Sequence, residues 1–241
     1  MIKYKIYIKA LFFILLIAGL LGFTNYRNSA RKIKDIQVEF EQGDNLFITH
    51  EMVNKLLIQN SGNLKNQPKE SIILRVLEEG IEANEMIEKA EVYLTVDGVL
   101  KTRALQRKPI ARIQVNSGAY YLDDKGLKMP LSKNYSARVP IVTGVKSDND
   151  LKLVYKFCNT VLNDGFMQKQ IVGFKIENNT FELKTRMGNQ MILFGNLYQT
   201  ESKIKNLKAF YQKVIADKTL KYYSKINLKY KGQVVCTKKV G

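Results

Sequence analysis

The chain has 241 residues, with 39 Lys and Arg against 22 Asp and Glu, a formal net charge of +17, one His and two Cys. This length suits one or two domains behind any targeting segment. Two Cys exclude a disulfide-dense scaffold, and together with a single His they exclude an ordinary structural zinc site, which needs four ligands. The positive charge is typical of nucleic-acid binders, so its distribution along the chain decides whether that class applies.

The charge is divided among four unlike segments. Residues 1–34 carry +7, residues 35–100 carry −8, and residues 101–200 and 201–241 carry +9 each. Such asymmetry indicates segments with different surroundings and partners, and it argues against one continuous basic surface for nucleic acid.

The N-terminal segment contains an unbroken apolar run, Ala10–Phe23, which Ile6 and Ile8 extend past Lys9. Counted from Ile6, the run would form about 27 Å of helix, close to the ~30 Å hydrocarbon core of a bilayer. The nearest candidate for signal cleavage, Asn28-Ser29-Ala30, is a poor one, so a retained anchor over 10–26 is favoured over a cleaved signal. The bilayer is therefore an expected partner, through this anchor.

The leader before the anchor, residues 1–9, is too short to form a domain. Basic residues flank both ends of the apolar run, so the positive-inside rule leaves the orientation close to a tie. Everything that can fold lies on one side of the membrane.

A first soluble module is predicted over 33–107. Apolar residues at 36, 38 and 40 alternate as in a strand, Thr49 can cap a following helix, and a second helix is expected near Glu70. A strand over 90–96 leads through a two-residue Asp97-Gly98 hairpin turn into another over 99–107, giving the order β-α-α-β-β. The helix residues expected to face inward are Met52, Val53, Leu56, Leu57, Ile73, Val76, Leu77 and Ile81.

A second soluble module is predicted over 108–235, followed by a tail at 236–241. Strands are expected over 108–115, 119–123, 171–177, 180–186 and 190–194. One helix, capped by Asp148 or Asp150, shows an apolar face, and a lysine-rich helix runs over 199–216. The whole chain is thus predicted to be α+β: a transmembrane helix, a β-α-α-β-β module, and a mixed β domain with two helices.

Two stretches carry a family resemblance. Ile87–Ala111, following a strand and two helices, resembles the end of a POTRA domain with its trailing proline. Tyr120–Pro130 and Val139–Gly144 resemble the opening of the second domain of the FtsQ/DivIB family of bacterial division proteins. The order of anchor, POTRA domain and β domain makes the resemblance specific, and it covers essentially the whole chain.

The resemblance implies a function as well as a fold. It implies a single-pass scaffold of the divisome that joins FtsB- and FtsL-like proteins and helps control septal peptidoglycan synthesis. The N-terminus would lie in the cytoplasm and the modules in the periplasm, at the septum. The acidic POTRA domain would suit other, basic divisome members. The alternative is a POTRA-bearing envelope protein of protein export or outer-membrane assembly.

The resemblance also implies a site, because the closing part of the family's β domain binds FtsB and FtsL. We expect residues 222–236 to form an exposed edge strand that an extended partner segment joins by β-augmentation. Asn227 and Lys229 stand where the family tends to have Asp and Arg. Lysines on an edge also block self-pairing, so that second interpretation stays open. The expected partner-binding residues are Tyr222, Tyr223, Ser224, Ile226, Leu228, Tyr230 and Val234.

Other candidate chemistry is weak, and neither a catalytic residue, a metal site nor a cofactor is predicted. The acidic residues Glu78, Glu79, Glu82 and Glu85 at helical spacing are interpreted as a solvated face, because no pocket that would separate their pKa values is implied. His50 is interpreted as a surface residue. Cys158 is expected in the core, and a bond between Cys158 and Cys236 remains an alternative. Lysines over 199–216 suit a solvated face better than a lipid or nucleic-acid contact.

Overall fold

The computed structural model describes residues 2–29, 31–41, 47–62 and 64–239. The chain divides into two compact units, Met1–Gln106 and Arg107–Gly241. Met1 of the predicted leader and Val240 and Gly241 of the predicted tail lie outside the described residues.

The first element, α1 (Ile2–Ser29), is a single long helix. Its segment Lys9–Arg27 has 19 residues and a mean hydropathy of 1.7, and none of it is buried by the rest of the chain. At ~1.5 Å per residue this segment is about 28 Å long, enough to cross a hydrocarbon core. The predicted apolar N-terminal helix is confirmed, and its length and composition suit a membrane span.

The first module follows with the predicted order of elements. It consists of β1 (Asp35–Phe40), α2 (His50–Ser61), α3 (Leu74–Glu82), β2 (Ile87–Leu94) and β3 (Val99–Gln106). The three strands form a sheet in the order β1-β3-β2, with β1 parallel and β2 antiparallel to the central β3. Thr49 caps α2, its hydroxyl accepting a hydrogen bond from Met52 N at 3.3 Å.

One face of this sheet packs against the helices. Alternate residues of β3, from Leu100 to Gln106, are buried, and Val53, Leu57, Leu77 and Ile81 of the helices complete the core. Three residues expected to face inward are instead exposed: Met52, Ile73 and Val76. The cause at Ile73 is that α3 begins at Leu74, because the residues near Glu70 form a short 3-10 turn, Lys69–Ser71.

The second module is larger and is built on one mixed sheet. Its elements are β4 (Pro109–Val115), β5 (Gly118–Asp123), β6 (Lys128–Met129), β7 (Ile141–Thr143), α4 (Asp148–Val161), α5 (Gly165–Gln170), β8 (Ile171–Glu177), β9 (Thr180–Thr185), β10 (Met191–Gly195), α6 (Thr200–Ala216), β11 (Tyr223–Asn227) and β12 (Val235–Lys238). The sheet order is β12-β11-β10-β9-β8-β7-β4-β5-β6.

Three features of this module correct the sequence-based expectations. It has a third helix, α5, whose six residues are too short to show a periodic pattern. Cys236–Lys238, expected in the tail, belong to strand β12. The cap of α4 is Ser147, whose hydroxyl accepts from Asp150 N, while the Asp150 carboxylate accepts from Ser147 N at 3.0 Å. Asp150 thus completes a capping box instead of forming the cap.

The core of the second module is organised around Phe157 of α4. Its ring lies 4.5 Å from that of Phe174, 4.4 Å from that of Phe181 and 5.7 Å from that of Phe194, measured between centroids. These partners come from β8, β9 and β10, so the helix holds three adjacent strands together. Ile226 and Leu228 belong to the same core, which ties the end of the chain to it.

Candidate functional site

The predicted site lies at one end of the nine-stranded sheet. Strand β11 pairs in parallel with β10 on one side and antiparallel with β12 on the other. It is therefore an interior strand, and the expectation that it forms the exposed edge is wrong. Strand β12 ends the sheet, and no other strand among the described residues pairs with its outer side.

The structure separates the seven expected partner-binding residues into three groups. Tyr222 and Tyr230 are exposed, at 53% and 57%, and Tyr223, Ser224 and Val234 are partly buried. Ile226 and Leu228 are 0% and 2% exposed and face the core. A partner could touch the two tyrosines directly, whereas Ile226 and Leu228 act by holding the strand in place.

The direction of the backbone groups shows which residues face the open edge. Leu228 N donates to Leu193 O of β10 at 3.0 Å. Because backbone groups alternate sides along a strand, Ile226 also faces β10, while Lys225 and Asn227 face β12. Their partners Thr237 and Val235 therefore face inward, and Cys236, opposite Ile226, turns its N–H and C=O to the open side.

Short contacts fix β12 against β11. The hydroxyl of Ser224 donates to Thr237 O at 3.2 Å, and Lys239 N donates to Tyr222 O at 2.8 Å. The exposed residues of β12 itself, Val235, Thr237 and Lys238, are absent from the site that the sequence predicts. The sequence pattern that indicates this strand is the short run from Val234 to Thr237, which is rich in β-branched residues.

The surroundings of this edge are strongly basic. Residues 218–241 contain seven Lys and neither Asp nor Glu. Beside them, a cleft of about 220 Å³ lies between the start of α6 and the turn over 228–233. Lys203 lines it, donating to Asn196 O at 2.8 Å with its ammonium 5.0 Å from the centroid of the Phe194 ring. Partial burial lowers the pKa of Lys203.

One of the two edge strands of the first sheet, β2, is protected differently. The Glu78 carboxylate accepts a hydrogen bond from Val92 N at 2.8 Å, and that of Glu82 accepts one from Ala90 N at 2.9 Å. Two of the four acidic residues interpreted as a solvated face therefore bind the backbone of an edge strand. The two carboxylates therefore occupy the backbone N–H groups that an added strand would need.

The remaining candidates for chemistry have structural roles. His50 packs edge-on against Phe40, with 4.9 Å between ring centroids. Cys158 and Cys236 are both free thiols, and burial raises the pKa of Cys158 to about 12. Within the part of the chain that the structure describes, no group of three or more His, Cys, Asp or Glu could hold a metal ion.

These features define a class of protein: a chain with an N-terminal helix able to cross a membrane, a small module of three strands and two helices, and a mixed β domain with an open terminal strand. A model for a POTRA-like domain matches residues 31–104, and a model described as FtsQ/DivIB, C-terminal related, matches residues 108–237. The second match covers more than half of the 241 residues, so the chain belongs to the FtsQ/DivIB family.

A comparison with solved structures finds the major extracytoplasmic domain of the trans isomer of the bacterial cell division protein DivIB from Geobacillus stearothermophilus. The match has a TM-score of 0.34 and 10% sequence identity, and it covers 47% of this chain and 96% of that chain. No curated protein sequence matches this chain significantly. The family assignment therefore rests on the sequence models.

Family membership has direct consequences for function. The FtsQ/DivIB family consists of non-enzymatic division scaffolds, so membership supports a cell division protein. The apolar α1 and the two modules fit a single-pass membrane protein.

Proposed function

We propose that this protein is a non-catalytic, single-pass scaffold of the bacterial divisome. It joins FtsB- and FtsL-like proteins at the septum and helps control septal peptidoglycan synthesis. Its N-terminus lies in the cytoplasm and its two modules lie in the periplasm. The observation that carries the proposal is the open side of β12 at the end of the second module's sheet.

Strand addition is the binding mode that this edge suits. An edge strand offers a row of backbone donors and acceptors, and an extended partner segment can satisfy them while its side chains contact neighbouring residues. The N–H and C=O of Cys236 are the central pair that such a strand would engage. Tyr222 and Tyr230, which are exposed, give flanking aromatic surface.

Charge specifies the kind of segment that would bind. Because residues 218–241 carry seven Lys and no acidic residue, a partner strand rich in Asp or Glu would be attracted and a second copy of β12 would be repelled. Partner binding and the prevention of self-pairing, the two interpretations of the edge lysines, are therefore compatible. The lysines oppose self-pairing and select an acidic partner.

The test must remove the outward backbone donor without disturbing the sheet. In Cys236→Pro the outward N–H is lost, and proline is tolerated on an edge strand when its nitrogen faces away from the ladder. Cys236→Ala is the matched control, because it removes the thiol but keeps the N–H. Leu228→Pro would be uninformative, since Leu228 is buried and its N–H bonds β10.

The experiment is affinity capture of the full-length, detergent-solubilised protein from its own cells. We expect two small single-pass coiled-coil proteins to co-purify with the wild type and with Cys236→Ala, and to be lost with Cys236→Pro. Retention of both by Cys236→Pro, with an unchanged unfolding temperature, would move the site away from β12. Capture of an outer-membrane barrel or a secretion protein instead would favour the alternative envelope function.

A cellular readout tests the scaffold role separately. A fluorescent fusion of the full chain should concentrate at the septum, and depletion should give filaments that fail to septate. An even distribution around the envelope, with normal septation after depletion, would contradict the proposal.

A further inference from the structure

A pocket of about 340 Å³ opens at one end of the first module. Its walls are mainly apolar, with cations at the rim. The lining residues that matter are Arg31, Lys69, Ile72, Leu74, Leu94 and Val96. The divisome proposal assigns no role to this pocket.

The chain itself fixes the pocket close to the membrane. Lys69 N donates to Arg31 O at 3.0 Å and Lys34 N donates to Gly98 O at 2.8 Å, so the folded module begins at Arg31. The guanidinium of Arg31 also donates to Val96 O at 2.5 Å. Arg31 is only four residues beyond Arg27, the last residue of the candidate membrane-spanning segment.

Four residues span about 6 Å as helix and at most about 15 Å when extended. The headgroup region of a bilayer adds roughly 5–8 Å beyond the hydrocarbon core. Arg31 and the pocket rim that it contacts therefore lie within or beside the headgroups. Arg31 has this position in either orientation of the chain, because the covalent connection alone limits its distance from α1.

Two large apolar residues project at this end of the module. Val96, in the turn between β2 and β3, is 81% exposed, and Ile73, at the start of α3, is 67% exposed. Among the described residues outside α1, Val96 is the most exposed large hydrophobic side chain. Val96 lines the pocket, and Ile73 flanks it, since its neighbours Ile72 and Leu74 are lining residues. At the boundary between headgroups and acyl chains such side chains would be removed from water.

The charges around the pocket favour an anion. Arg31 and Lys69 line it, and Lys32 and Lys34 are exposed on the adjoining segment. Two acidic residues add negative charge near these cations: Glu70 lines the pocket, and Asp97 lies in the turn between β2 and β3. A hydrogen bond with Thr95 lowers the pKa of Asp97, so this residue is charged at neutral pH. The four cations still outnumber the two acids.

We propose that this end of the first module is a lipid-binding surface that holds an anionic phospholipid of the membrane crossed by α1. The lipid phosphate lies against Arg31 and Lys69, and the apolar part of the lipid enters the pocket beside Ile72 and Leu94. Val96 and Ile73 insert beside it. Cations at a membrane surface attract anionic headgroups, and inserted apolar side chains add burial. The surface would hold the first module against the bilayer, whatever partner the second module binds.

The chain offers a direct probe, because it contains no Trp. The Val96→Trp protein has a single Trp, at the proposed insertion point, whose fluorescence can be excited apart from that of the tyrosines. The full-length protein is reconstituted in nanodiscs whose lipids carry bromine on the acyl chains, either phosphatidylcholine alone or a mixture with phosphatidylglycerol. We expect bromine to quench the fluorescence of the Val96→Trp protein strongly in the mixed discs and weakly in phosphatidylcholine alone.

The matched control is Met52→Trp. Met52 is exposed and lies near the other end of the module, where Phe47 and Ile48 donate to the Gln106 side chain. The length of β3, about 23 Å at ~3.3 Å per residue, separates the two ends. The fluorescence of the Met52→Trp protein should show no quenching in either disc. Equal quenching of both probes, or of neither, would overturn the proposal.

The anionic specificity is tested by charge removal in the Val96→Trp background. Lys69→Gln should reduce the preference for phosphatidylglycerol by about five-fold, the ratio expected for one cation at an anionic surface. Lys55→Gln, which removes an exposed charge from α2, should leave the preference unchanged. Equal quenching in the two lipid mixtures, or equal effects of the two variants, would overturn the assignment of an anionic lipid. Protection of the introduced fluorophore only when another membrane protein is added would overturn it too and assign the pocket to a protein partner.

Discussion

The carboxylate of Glu82 accepts a hydrogen bond from the backbone amide of Ala90, with 2.9 Å between Oε1 and N. Glu78 makes the equivalent contact with Val92 at 2.8 Å. Both acceptors come from α3 and both donors from the outer side of β2, so the helix covers this one of the two edges of the first sheet. The second sheet ends differently, in a strand whose outer side has no strand beside it among the described residues. This contrast favours β12 over β2 as the place where a partner strand adds.

Glu82→Ala should expose this edge and destabilise the first module. The Ala90 amide would lose its acceptor, and we expect a loss of about 1–2 kcal/mol in the free energy of unfolding. Hydrogen exchange at Ala90 should accelerate. Glu79→Ala is the control, because Glu79 forms only an exposed ion pair with Arg75, worth about 0.5 kcal/mol or less. Equal effects of the two variants would contradict the role of Glu82.

Asp123→Ala should destabilise the second module much more. The Asp123 side chain is 1% exposed, lies 3.0 Å from the Arg107 guanidinium, and accepts from Lys125 N and Leu127 N at 3.0 and 2.7 Å. Its removal leaves these donors and a partly buried cation without their acceptor, which costs about 3–5 kcal/mol. Thermal unfolding measures the loss. Asp124→Ala, at an exposed neighbouring position, should change stability by less than about 0.5 kcal/mol.

The contribution of Asp164 should depend on pH. Burial acts to raise the pKa of Asp164, but the ion pair with Lys208 and the hydrogen bonds from Met167 N and Phe166 N outweigh it and lower the pKa. A group whose pKa is depressed by folding stabilises the protein above its unfolded pKa, about 3.9, and this stability is lost as the pH falls through the folded value. Asp164→Asn should therefore be less stable than the wild type at pH 7.

The quantity to measure is the difference in the free energy of unfolding between the wild type and Asp164→Asn. We expect about 0.5–1 kcal/mol at neutral pH, because Asn can still cap α5 while losing the charge. The difference should shrink steadily in denaturant titrations below about pH 4. A difference that stays constant down to the lowest pH at which the protein folds would contradict the electrostatic origin.

The two thiols should react at very different rates. Burial raises the pKa of Cys158 to about 12, so almost none of it is thiolate at pH 8. Burial also raises the pKa of Cys236, but this side chain is only partly buried and is open to a reagent. A thiol reagent should modify one Cys per native chain quickly and the second only after denaturation. Cys236→Ser should remove the fast phase. If no thiol reacts in the native protein and two appear only after reduction, the two Cys form a disulfide.

The local pattern predicted the elements of the first module well. The alternation at 36, 38 and 40, the Thr49 cap and the Asp97-Gly98 turn each depend on neighbouring residues, and all three are present in the structure. The turn is a three-residue loop over 96–98, however, because Thr95 pairs with Val99. The inward face of α3 was predicted less well. Ile73 and Val76 fit a helical stripe by spacing, but the 3-10 turn at Lys69–Ser71 delays the start of the helix to Leu74, and this delay depends on contacts with residues 31–34.

The sequence by itself determined the apolar anchor, the charge division, the element order of the first module and a basic final segment, because composition and periodicity are local properties. Only the tertiary structure decided which strand is the edge. Local sequence indicates strands at both β11 and β12, but whether a strand is interior depends on which distant strand, here β10, pairs with it. That pairing buries Ile226 and Leu228, which the local pattern places at the binding surface, and turns Cys236 outward. The +17 charge of the chain thus resolves into a basic rim at the membrane, an acidic first module and a lysine-rich edge.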